Sequence, residues 1–78
     1  MKESGQRTVW GAYKQVAAEL TGRIADGRLP AGGPVPSEAA LGREFGVSRT
    51  TVRWALAVEE KAGLVRAAPG AGRAVNRF

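Results

Sequence analysis

Ser48, Arg49, Thr50, Thr51 and Arg53 fall together in the stretch SRTTVR. Two arginines four residues apart share one face of a helix. A guanidinium presents a planar fork of donors that matches guanine O6 and N7, or a pair of phosphate oxygens, through two parallel bonds. A threonine beside it can bond a phosphate or pack its methyl on that of thymine. The chemistry implied is recognition of base edges and phosphates rather than the making or breaking of bonds. Exposed charge is ordinary on helices, so the arginines alone are equally well read as a solvated face. Their surroundings carry the rest of the reading.

Those surroundings are residues 35–53, VPSEAALGREFGVSRTTVR. Ser37 is placed to cap a helix, and Glu38 suits its positive end. Residue three after the cap is Ala40, so the reciprocal half of a capping box is missing. Leu41 and Phe45 lie one turn apart and face a core. Gly46 supplies a turn, Val47 packs inward, and Ser48 caps the next helix, which is expected to run to about Ala62 and stop at Gly63. Val52, Ala55 and Leu56 form its buried stripe, leaving Arg49 and Arg53 on the other side. This is the layout of a helix-turn-helix, whose second helix offers its N-terminal end to a major groove. Arg49 is expected to read guanine, Thr50 and Thr51 to meet a thymine methyl or a phosphate, and Arg53, deeper along the helix, to hold a phosphate. Arg43 on the preceding helix is counted with these contacts. Ser37 and Ser48 have capping as a first role and a phosphate on their free amides as a second.

The elements on either side follow from spacing. Trp10, Tyr13, Val16, Ala17, Leu20 and Ile24 make one apolar stripe, a core face rather than a ligand surface, and Gly27 ends that helix. LPAGGPVP, residues 29–36, cannot be helical, and Val35 between two prolines allows at most a very short edge strand. Past Gly63, Leu64, Val65 and Arg66 read as strand, Pro69-Gly70-Ala71-Gly72 as a turn, and Ala74-Val75-Asn76 as the returning strand. Gly70 and Gly72 would let this hairpin, or wing, approach a groove closely, with Arg66 and Arg73 flanking it and Arg73 near a minor groove. The fold class is therefore mainly α with a small β wing. Three helices and a two- or three-stranded antiparallel sheet form one winged helix-turn-helix domain over residues 10–78, after a flexible N-terminal segment, residues 1–9.

Composition narrows the function classes. With 78 residues there is room for one small core. The chain has no histidine and no cysteine. It lacks the commonest general base, and disulfides or thiolate metal sites are excluded. No catalytic residue, metal or cofactor is expected. No apolar run approaches the ~20 residues of a membrane span, and the opening MKESGQRTV has no apolar signal core, so a cytoplasmic location is expected. The net charge of +5 is uneven: residues 1–42 carry five basic and four acidic groups (+1), residues 43–78 seven and three (+4). A basic half fits a polyanionic partner. Interleaved base-stacking aromatics, as in many RNA binders, are missing, so double-stranded DNA is the favoured partner.

The string GRLPAGGPVPSEAALGREFGVSRTTVRWAL, followed by AGLV and GAG and preceded by YKQVAAEL, resembles the DNA-binding domain of GntR-family bacterial transcription regulators. The resemblance covers residues 13–75. It implies a winged helix-turn-helix that binds a short inverted repeat as a homodimer, weak or monomeric when free, and acts as a repressor. It also implies DNA contacts from Ser48, Arg49, Thr50, Thr51 and Arg53 and from the wing around Gly70. The alternative is a winged helix used for protein interaction without sequence readout. Family members usually carry an effector and oligomerisation domain after the wing. The chain ends at Phe78, as an isolated fragment or a natural minimal regulator would.

Five positions depart from the family pattern. Glu59 stands where the family has leucine, at a spacing that points inward. A buried carboxylate is costly without a partner, so a more exposed helix end, an arginine partner or an interface is expected. Trp54 falls on the polar side, to serve as a phosphate-side contact or partner surface or to lie flat on the wing. Ala71, Arg73 and Ala74 replace the usual basic, threonine and phenylalanine residues of the wing.

Overall fold

A computed structural model describes the backbone of residues 9–70 and 72–77 and the side chains of residues 11–70 and 72–77. The N-terminal segment, the side chain of Trp10, and Ala71 lie outside the described residues, except that Val9 already belongs to a helix. In chain order the elements are α1 (Val9–Ala25), α2 (Glu38–Phe45), α3 (Arg49–Lys61), β1 (Val65–Ala68) and β2 (Gly72–Val75). The strands pair antiparallel, Val65 opposite Val75 and Ala68 opposite Gly72. The proline-rich segment before α2 adds a third, partial rung. Pro34 bridges Ala74, and the amides of Val35 and Val75 donate to the carbonyls of Arg73 and Gly33 at 2.9 and 2.8 Å. The segment thereby satisfies the free edge of β2 without itself being a regular strand.

The core is built as the periodicity demands. Val16, Ala17 and Leu20 of α1 meet Leu41 of α2 and Val52, Ala55 and Leu56 of α3, closed below by Val65 and Val75 from the strands and by Leu29 and Val35 from the loop. Tyr13, Ile24, Phe45 and Val47 pack against its margin. Burying each large aliphatic contributes about 1.5–3 kcal/mol, so this cluster dominates what holds the three helices together.

The two helix starts behave alike. The Ser37 hydroxyl accepts from the Ala40 amide at 3.0 Å, and the Ser48 hydroxyl from the Thr51 amide at 3.1 Å. Between them, Gly46 takes the left-handed conformation (φ 67°, ψ 37°), which a residue with a Cβ enters only at a cost. Gly42 is required for a different reason. A Cβ there would lie 3.0 Å from the Val47 carbonyl oxygen, so its absence lets the turn fold back onto α2. The Gly42 carbonyl accepts from the amides of both Gly46 and Val47. The angle between α2 and α3 is thus set by backbone atoms in contact.

Candidate nucleic-acid interface

The N-terminal end of α3 is open and charged. Ser48, Arg49 and Thr50 are exposed, as is Arg43 on α2. Among the described residues neither Arg49 nor Arg43 has an ion-pair partner, so both guanidiniums are free to accept one. Arg49 and Ser48 border a shallow concavity shared with Ala39, Gly42 and Arg43. On its other side Arg49 borders a second one, with Ser37 and Glu38 of α2 and Gly72 and Arg73 of the wing. The arginine expected to read a base therefore stands at the junction of both helices and the wing.

Thr51 does not share that position. It is buried at 3% exposure, and its hydroxyl lies 3.0 Å from the Ser48 Oγ. The third residue of a helix points back over the preceding turn, and here it plugs the turn instead of facing outward. Thr51 thus lines the inside of the cap that exposes its neighbours.

Arg53 is exposed, as expected, but its Nε donates to Glu38 Oε1 at 3.0 Å. The wing arginines differ more from expectation. Arg73 is turned inward: Nε donates to Glu60 Oε2 at 2.8 Å and Nη1 to Glu38 Oε2 at 3.2 Å. Bonding to Glu60 and Glu38 outweighs its partial burial and raises its pKa. It is a strut from β2 to both helices, not a free cation beside a minor groove. Arg66 folds back toward the chain end, its Nη1 donating to the Val75 carbonyl at 3.3 Å and the Asn76 side chain at 3.1 Å. Gly70 and Gly72 are exposed at the hairpin tip and both adopt positive φ, at 79° each. Strand periodicity could not reveal the inward turn of Arg73, because both of its partners lie far away in the chain.

Glu59 is 1% exposed, and the hydroxyl of Thr21 on α1 donates to both its oxygens, at 3.0 and 2.9 Å. Glu59 itself is not exposed, and among the described residues no arginine is paired with its carboxylate; the partner is a neutral hydroxyl. Burial raises its pKa, and the Thr21 bond only partly offsets that. Trp54 does not lie on the wing. It packs edge-on against Tyr13 of α1, with ring centroids 5.9 Å apart and planes at 90°, a favourable aromatic geometry.

Residues 12–75 match the family described as "Bacterial regulatory proteins, gntR family". The chain belongs to the GntR family. It is 46% identical over 65 residues to an HTH-type transcriptional regulator of Rhizobium meliloti, covering 83% of this chain and 27% of that protein. It is 41% identical over 64 residues to the mannosyl-D-glycerate transport/metabolism system repressor MngR of Escherichia coli, covering 82% of this chain and 27% of the repressor. Among solved structures it is similar to the DNA-binding domain of AraR in complex with an operator. That likeness has a TM-score of 0.78 at 34% identity over 82% of this chain and 77% of that one. A GntR-family regulator from Pseudomonas syringae superposes with a TM-score of 0.81 at 33% identity, covering 94% of this chain and 30% of that one. The three helices and two-stranded hairpin are thus the winged helix-turn-helix of this family. The chain spans about a quarter of the length of these curated relatives. Among the described residues no helix is long and apolar enough to cross a membrane, and no cluster of acidic groups is arranged to hold a metal ion.

Proposed function

We propose that this domain binds double-stranded DNA sequence-specifically as the reading head of a bacterial transcription repressor, engaging a short inverted repeat as a homodimer. The observation that carries the proposal is the open end of α3, where an exposed Arg49 without an ion-pair partner among the described residues stands beside exposed Ser48 and Thr50. In the bound state Arg49 reads a guanine edge and Thr50 meets a thymine methyl or phosphate. Arg43 and the free amides behind Ser48 and Ser37 hold backbone phosphates. The wing tip at Gly70 and Gly72 approaches the flanking groove through its backbone. Arg53 takes a phosphate when it leaves Glu38. The operator complexes of AraR, a similar domain, support this reading.

Nothing in this scheme uses a cofactor, a metal or a catalytic residue. The test is fluorescence anisotropy on an inverted repeat selected from a random pool and on a scrambled duplex, for the wild type and Arg49→Ala. The expected result is a preference of ~10³ or more for the selected site, most of it lost in the variant. Equal binding to both duplexes would overturn sequence reading and leave protein interaction as the function. Sedimentation with one and with two half-sites tests the homodimer: two copies should load cooperatively on the repeat.

A further inference from the structure

Glu38 occupies an unexpected place for an acid. It opens α2 and lines the concavity between Arg49 and the wing, on the surface a polyanion must approach. Both carboxylate oxygens are engaged, Oε1 by Arg53 of α3 and Oε2 by Arg73 of β2, and Arg73 is shared in turn with Glu60. The Glu38 side chain is only 20% exposed, against 58% for Arg53. Burial works against its charge, but the bonds from Arg53 and Arg73 more than compensate and hold its pKa below the ordinary glutamate range. It is therefore anionic at neutral pH and withholds two cations from any ligand.

We infer that Glu38 is a specificity-determining residue of the DNA-reading surface, competing with phosphate for Arg53 and Arg73 and so suppressing sequence-independent binding. This rests on the DNA-reading function proposed above. A duplex of any sequence attracts the domain through Arg43 and Arg49. To gain Arg53 it must displace a carboxylate already bonded to it, while its phosphates approach a fixed negative charge. A matched site draws the backbone closer through base contacts at Arg49 and there exchanges Glu38 for phosphate. The carboxylate thus subtracts more from random DNA than from the operator.

The experiment compares wild type, Glu38→Gln, Arg53→Gln and the double variant on the selected repeat and the scrambled duplex, between 50 and 300 mM salt. Glu38→Gln should bind the scrambled duplex about fivefold more tightly at the lower salt. Each phosphate contact adds ~0.9 to the slope of log affinity against log salt, so that slope should steepen by about one to two. The preference for the repeat should fall. Arg53→Gln should leave the scrambled-duplex slope nearly unchanged in the wild type and remove about one from it in the Glu38→Gln background. Glu60→Gln, which loosens Arg73 without touching Arg53, serves as the control for a merely structural brace. If Glu38 only braces the wing, Glu38→Gln will resemble Glu60→Gln and weaken binding to both duplexes, which overturns the inference. An unchanged scrambled-duplex slope overturns it as well. Failure of the wild type to prefer the repeat instead sinks sequence reading, while the salt slope on the scrambled duplex still reports whether Glu38 withholds Arg53 and Arg73 from phosphate.

Discussion

The two ends of α3 use polar residues in opposite ways. At the N-terminal end Ser48, Arg49 and Thr50 are exposed, and the Ser48 hydroxyl caps the helix start. At the C-terminal end Glu59 is sealed under Thr21, and Glu60 grips the wing through Arg73. One end is left open for a partner; the other is spent inside the molecule. A count of positive charges does not distinguish them, since Arg49 and Arg73 are the same residue type with different commitments. What separates them is whether a carboxylate reaches the guanidinium first.

The largest expected effect breaks the open end. Arg49→Ala should cost about 2 kcal/mol of discrimination at one base position, roughly a 30-fold loss of preference, with little change in melting temperature. A scan of single-base operator variants by anisotropy checks this; an unaltered preference would place the base contact elsewhere.

Next, the closed end can be relieved. Glu59→Leu removes a buried carboxyl group whose only described bond is to a hydroxyl, and Thr21 itself is exposed, so water can satisfy that hydroxyl afterwards. The variant should be more stable by about 1–2 kcal/mol, or roughly 5–10 °C in melting temperature by calorimetry. A lower melting point would mean that the bond outweighs the cost of burying the charge.

A pH series sharpens the same point. A raised native pKa means that the folded state holds the Glu59 proton where the unfolded state has lost it, so this group's contribution falls as pH rises above about 4.5. Glu38, and Glu44 at the end of α2 bonded by Arg23 of α1, act in the opposite sense. Their pKa values are lowered, so their stabilisation is present above the ordinary range and lost as pH falls through the depressed native values. The stability gap between Glu59→Gln and wild type should therefore be wide at pH 7 and narrow toward pH 4. A gap independent of pH would show that burial does not raise the native pKa of Glu59 above its unfolded value.

The smallest effect distinguishes the two arginines directly. Arg73→Ala should lower the melting temperature by about 2–4 °C, since two partly exposed ion pairs are worth little. On scrambled DNA it should change the salt slope by less than about 0.5, whereas Arg49→Ala should lower it by about one. Equal changes in slope would erase the contrast between the two ends.

How much of this was legible beforehand depended on how local the signal was. The caps at Ser37 and Ser48, the turn at Gly46 and the stripe Val52, Ala55, Leu56 each depend on neighbours within four residues, and all appear as read. Thr51 was misplaced because it borders the stripe, where spacing alone does not separate a surface position from a cap-filling one. The pairing of Arg73 with Glu38 joins residues 35 apart, and that of Glu59 with Thr21 joins residues 38 apart. No periodicity encodes such meetings; only packing α1 and the wing against α3 creates them. Spacing did point Glu59 inward, but not to the residue waiting there.

The contact between Gly42 and the Val47 carbonyl has an evolutionary consequence. The turn that aims α3 is held by main-chain atoms and by the missing side chain at one glycine. Positions 49, 50 and 53, at the exposed surface, take no part in that hold. On the proposed reading, exchanges at positions 49 and 50 would retarget the domain to new operators by mutational drift with the turn intact, whereas a side chain at Gly42 would press on the Val47 carbonyl and shift the turn that aims α3.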